Sequence, residues 1–115
     1  MKLYFYFLEG RKNGRIRMEE CEVEEKARTY WPVGRFPEEY PGNFVRKADI
    51  GMLKMFCLAM VIMEEKDRNR VANIFSRKCT NDIYRSNDII RHAKREIERS
   101  NELLDGIEEW KRENM

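Results

Sequence analysis

The sequence predicts an α+β fold: an N-terminal antiparallel β-sheet of about four or five strands, followed by one long or two extended C-terminal α-helices that mediate oligomerisation. Three observations carry this. Residues 2–8 (KLYFYFL) are aliphatic and aromatic almost throughout, which suits a pleated surface. Asn13-Gly14, the strongest short hairpin signal, separates them from a charged return segment. Residues 66–115 hold no proline, one glycine (Gly106) and apolar residues at helical spacing.

Taken in order, Leu3, Phe5 and Phe7 would line one face of the first strand and Tyr4, Tyr6 and Leu8 the other. Both faces are apolar, so this strand is expected to be central or covered on both sides. Residues 15–25 form the return strand. Its apolar parity changes, with Ile16 and Met18 even but Cys21 and Val23 odd. A β-bulge near Glu19 and Glu20 would bring both pairs to one face and leave Glu20, Glu22 and Glu24 in water. A third extended piece, residues 27–31, ends at Pro32. Residues 33–43 carry two prolines and two glycines and read as a loop pinned by Phe36 and Tyr40. Residues 44–48 suit a short strand, and Asp49 suits the cap of a helical turn over residues 50–56. Residues 58–63 (LAMVIM) read as a buried strand. Asp67 is placed to cap the helical tail.

In the tail, Val71, Phe75, Cys79 and Ile83 are four apart. Ile90, Ala93, Ile97, Leu104 and Ile107 then alternate three and four, with Ser86 and Ser100 completing a heptad register. Ile89, Leu103 and Trp110 widen the apolar face, which favours dimerisation through a second copy. Thr80-Asn81 and Ser86-Asn87-Asp88 are cap-like clusters, so a bend there, giving two helices, is expected. The alternative is one uninterrupted arm. All 115 residues are read as one domain, with a sheet region over 1–64 and a helical region over 65–115.

Composition bounds the function. The chain is 42% hydrophobic and 38% charged, with a net charge of +2. The charge is uneven: residues 66–99 hold ten Lys/Arg against five acids, whereas from Ser100 five acids outnumber Lys111 and Arg112. A local basic zone suits a phosphate-bearing ligand better than a long polyanion. Three cysteines without CxxC spacing fit a reducing compartment. The start is too short and aromatic for a signal peptide, and residues 52–63 are too short, and interrupted by Lys54, to span a bilayer. A soluble cytoplasmic protein is expected, with no membrane partner. His92 is the only histidine and lies among Arg91, Lys94 and Arg95, where a surface role is its default. There is no zinc spacing and no glycine-rich phosphate loop. Neither an enzyme nor a metal or cofactor is expected.

The candidate ligand residues are Arg28, Tyr30, Trp31, Phe75, Asn81, Asn87, Arg91, Arg95 and Arg99. Arg28, Tyr30 and Trp31 put one cation and two aromatics within four residues, a set that can stack a base and hold its phosphate. Packing within a sheet is the competing reading for Tyr30 and Trp31. Phe75 lies on the apolar stripe, where core is its default. Asn81 and Asn87 suit base edges or helix caps. Arg91, Arg95 and Arg99 recur every four residues, which lines up three guanidiniums for phosphate oxygens. Glu98, Glu102 or a partner's acids could instead offset them.

The aromatic first strand (LYFYFL), the charged second strand running into a third (EECEVEEKARTY), the KADIG segment and the long charged tail resemble small proteins of Firmicutes phages and prophages. Among these the layout is similar to the first-described anti-Thoeris family of phage signal sponges. The resemblance implies an N-terminal antiparallel sheet, C-terminal helices that pair into dimers, and higher assemblies such as a hexamer. It implies sequestration without cleavage of a cyclic ADP-ribose variant made by TIR-domain defence enzymes. Some members also hold cyclic oligonucleotides at a separate site. No binding residue is carried over from the family. The runner-up is an anti-CRISPR-like inhibitor that meets a host effector protein through the acidic strand from Glu19 to Glu25. A DNA-binding regulator is weaker still, since the basic zone lacks a helix-turn-helix, and no nucleic-acid partner is expected.

Overall fold

The structure, a computed structural model, describes residues 1–10 and 14–114. Among them, six strands precede one α-helix: β1 (Lys2–Glu9), β2 (Arg15–Glu25), β3 (Thr29–Pro32), β4 (Val45–Arg46), β5 (Leu53–Met55), β6 (Ala59–Met63) and α1 (Arg68–Glu113). They form one antiparallel sheet in the order β4-β3-β2-β1-β6-β5. The chain divides into two compact units, Met1–Arg77 and Lys78–Met115, so the first turns of α1 belong with the sheet.

Strand β1 is central because both of its faces are apolar. Leu3, Phe5 and Phe7 join Cys21, Val23, Tyr30, Phe36, Val45, Met60 and Ile62 in one core. Tyr6 faces the other way and joins Ala59, Val61, Met63, Val71 and Phe75 in a second. Every residue of β6 is buried because its alternating side chains serve the two cores in turn. The 33–43 loop covers the first core. Phe36 and Tyr40 lie 5.0 Å apart edge to face, and each also meets Phe5, at 5.5 and 5.7 Å. Each such pair adds roughly 0.5–1.5 kcal/mol beyond burial. The first turns of α1 cover the second core through Val71 and Phe75.

The two-core arrangement removes the expected bulge. The β1–β2 register runs without interruption from Lys2↔Glu22 to Glu9↔Arg15. The parity switch in β2 marks a change of face: Cys21 and Val23 serve the loop-covered core, whereas Ile16 and Met18 lie on the face that carries Tyr4, Tyr6 and Leu8. The hairpin expected at Asn13-Gly14 cannot be placed, because Asn13 and the two residues before it lie outside the described residues.

The expected helical turn over residues 50–56 is also replaced. A 3₁₀ turn occupies Lys47–Asp49, and β5 follows it. Gly51 stands between them at φ +76°, and its N–H donates to the Ile62 carbonyl at 2.8 Å. Asp49 holds Arg46 and Lys54, both at 3.2 Å, instead of capping a helix. The added β5 hairpin is what raises the strand count to six.

Asp67 does cap α1: its Oδ1 accepts from the Arg70 N–H at 3.0 Å. The helix then continues to Glu113 with no break at residues 80–88. That segment has no glycine or proline, and its polar residues carry only a few tenths of a kcal/mol of helix penalty each. Asp82 pairs with Lys78 one turn back, and Asp88 with Arg91 at 4.0 Å, rather than capping new helices.

Candidate functional site

The pairing of β3 with β4 sets Thr29 opposite Arg46 and Tyr30 opposite Val45. Alternation then sends Tyr30 and Trp31 to opposite faces. Tyr30 is a core residue at 2% exposure and presents no ring face to a ligand. Lys47 Nζ lies 5.3 Å from its ring centre. Burial, with the Glu64 and Glu25 carboxylates adding to it, pushes the Tyr30 hydroxyl up to about 12. Trp31 is 37% exposed and stacks on Phe44, with ring centres 5.2 Å apart and planes 28° from parallel. Its Nε1–H donates to Thr29 Oγ1 at 3.1 Å. Lys26 Nζ sits 4.9 Å from the indole centre, a position that a stacking base would have to take over.

Beside this pair lies a depression of about 430 Å³, whose walls include Arg28, Phe44, Arg46 and Lys47, with Ala27, Thr29 and Ala48 between them. Phe44 joins the two features, since it lines the depression and carries Trp31. Two of the three cations are matched: Arg46 by Asp49, and Lys47 by Glu25 at 2.6 Å. Arg28 has no ion-pair partner among the described residues. The depression therefore offers an almost wholly apolar wall, with the Phe44 ring in it, and Arg28, which also lines it, carries an unmatched guanidinium. Arg28 and Trp31 were legible as candidates in the sequence. Lys26, Phe44, Arg46 and Lys47 were not, because the 33–43 loop separates most of them from β3 and only the strand register brings them together.

The remaining candidates lie on α1. Phe75 is 2% exposed, packed in the second core, and unavailable to a ligand. Asn81, Asn87, Arg91, Arg95 and Arg99 are all exposed. Both asparagines lie within the helix and cap nothing. At 1.5 Å per residue, Asn81 and Arg99 stand about 27 Å apart, too far for one small nucleotide, whereas Arg91 to Arg99 spans about 12 Å. At about 100° per residue the arginines lie on the side of the helix away from Ile90, Ile97 and Leu104. No carboxylate is within ion-pair range of Arg95 or Arg99 among the described residues, so Glu98 and Glu102 do not neutralise them in this conformation.

A second concavity, of about 450 Å³, has Tyr6, Ile16, Met18, Val71 and Ala72 for its apolar walls, and Lys66, Arg68 and Asn69 complete its lining. The acidic strand is largely engaged. Glu19 holds Arg17, Glu20 holds Lys2 and Lys66 at 3.3 Å, and Glu22 holds the N-terminal ammonium at 3.1 Å. Among the described residues no group of three His, Cys, Asp or Glu side chains could hold a metal ion. None of their helices is long and apolar enough to cross a membrane. No family model, curated protein or solved structure matches this chain.

Proposed function

We propose that this chain is a phage anti-defence protein that binds and sequesters a cyclic nucleotide immune signal, a cyclic ADP-ribose variant made by TIR-domain enzymes, without cleaving it. It works as a homo-oligomer in the cytoplasm of the infected host cell. One observation supports this most: the stacked Trp31–Phe44 pair borders a depression whose Arg28 has no carboxylate partner among the described residues. A cyclic ADP-ribose carries a purine and two phosphates. An aromatic wall accepts the purine face, and a guanidinium matches phosphate oxygens bidentately. The volume of about 430 Å³ falls in the range of small-molecule sites. Holding without cleavage needs no nucleophile or general base, and none is called on here. If cyclic oligonucleotides are also held, the stripe of Arg91, Arg95 and Arg99 is a separate anion surface for them.

Calorimetric titration with cyclic ADP-ribose and with the products of a TIR-domain enzyme tests the site. Arg28→Ala and Trp31→Ala are each expected to weaken binding about tenfold or more. Unchanged affinity in both variants would remove the depression from the account. The alternative, an inhibitor that meets a host effector through Glu19 to Glu25, has less support. Four of those carboxylates already hold cations within the chain. Capture of a basic effector that is lost on Glu24→Lys, with no nucleotide affinity, would favour it.

A further inference from the structure

From Lys78 on, α1 carries an exposed apolar stripe. Ile83, Ile90, Ile97, Leu104 and Ile107 are each between 51% and 61% exposed. The large residues recur every seven positions from Ile83 to Leu104. Ser86, Ala93, Ser100 and Ile107 follow each of them three positions later. A strict seven-residue repeat over four heptads is the pattern of a left-handed two-helix seam. A second copy of the chain fits it, because the stripe complements itself when reversed.

We infer that two copies of α1 pair antiparallel, in register about Arg95. In that register, each layer joins two positions whose numbers are symmetric about residue 95. Ala93 meets Ile97 of the second copy, Ile90 meets Ser100, Ser86 meets Leu104, and Ile83 meets Ile107. The three inner layers each set a large side chain against a small one, which fills the seam evenly and lets the helices approach closely. A parallel pair would stack serine on serine and alanine on alanine in alternate layers, leaving gaps between layers of paired isoleucines.

The flanks agree. Antiparallel pairing brings Ile89 beside Leu103 of the second copy, and Asn87 beside Asn101. Parallel pairing would set Ile89 beside Lys94 and Leu103 beside Glu108. The acidic last turns, with five acids against Lys111 and Arg112, meet the near-neutral start of the segment instead of a second acidic end. Near the axis Glu96 meets Glu96, and Lys94 meets Lys94. These are solvated pairs costing a few tenths of a kcal/mol each. Arg91, Arg95 and Arg99 fall on the outer side of the pair, where Arg95 and Arg99 remain open to anions.

The inference rests on the reading of α1 as the self-association arm and adds its orientation and register. The test uses the full chain with Cys57→Ser and Cys79→Ser, since both thiols are exposed and Cys21 is buried. Ser86→Cys and Leu104→Cys are made in separate chains, mixed, and oxidised with copper phenanthroline. The antiparallel register predicts a crosslinked species containing one chain of each kind, and no crosslink from either chain alone. In this register two copies of residue 86 stand about 27 Å apart along the axis, far beyond disulfide reach. Crosslinking of each variant with itself would overturn the orientation while leaving self-association in place. Sedimentation as a monomer at the same concentration would overturn both. Ile97→Asp is expected to weaken the dimer at least about 30-fold, with circular dichroism as the folding control; an unweakened dimer would place the contact elsewhere.

Discussion

Arg17 reaches Glu9, Glu19 and Glu39 with its three guanidinium nitrogens and lies 4.4 Å from the centre of the Phe7 ring. It ties β1, β2 and the 33–43 loop at one point. Replacing it with alanine leaves three carboxylates without their shared cation and uncovers Phe7. Arg17→Ala should cost about 1–2 kcal/mol in urea unfolding, less at high salt. Tyr30 gives a second residue-scale prediction. Its hydroxyl is raised from 10.0 to about 12, chiefly by burial. The unfolded chain therefore ionises this group first, and the stability tied to the neutral form is fully present below pH 10. That stability is lost as pH rises from about 10 to 12. Melting temperatures across that window should fall, and Tyr30→Phe should fall less steeply. Equal slopes would place the alkaline sensitivity elsewhere, for instance at Tyr40, which is also raised by burial.

At the scale of elements, the strands with the plainest alternation were legible. The central place of β1 followed from its two apolar faces, and β6 from its unbroken apolar run. The parity switch in β2 was visible, but its cause was not. Sequence shows that Ile16 and Cys21 point oppositely; it does not say that both faces of the sheet are covered. The β5 hairpin was hidden because Leu53–Met55 is short and follows Gly51, whose positive φ the sequence does not reveal. Gly51→Ala should cost about 1–2 kcal/mol for that backbone alone. Its added Cβ would also lie 2.9 Å from an Arg70 nitrogen, which can swing away. The cap clusters at residues 80–88 suggested a bend because they offered capping side chains, yet nothing there opposes the helix strongly enough to stop it. In α1, Phe75→Ala should cost about 3–5 kcal/mol, since the ring fills the second core. Asp67→Ala should cost about 1 kcal/mol through the lost cap.

For the whole molecule, the candidate site was half legible. Arg28 and Trp31 were found from local composition, and Tyr30 was found but belongs to the core. Phe44, Arg46 and Lys47 needed the strand register to bring them alongside. The two candidate features lie in different units: a depression lined by Phe44 and Arg28 in Met1–Arg77, and an exposed heptad stripe in Lys78–Met115. The first is proposed for a small anionic ligand and the second for another copy of the chain. Sequestration without chemistry is the proposal on which the rest depends. The direct measurement is to incubate the protein with the cyclic ADP-ribose product of a TIR-domain enzyme, remove unbound ligand, heat-denature the protein and identify what is released by mass spectrometry. The expected result is the intact cyclic mass, in an amount proportional to protein. A linear or cleaved product, or no retained nucleotide at all, would contradict it.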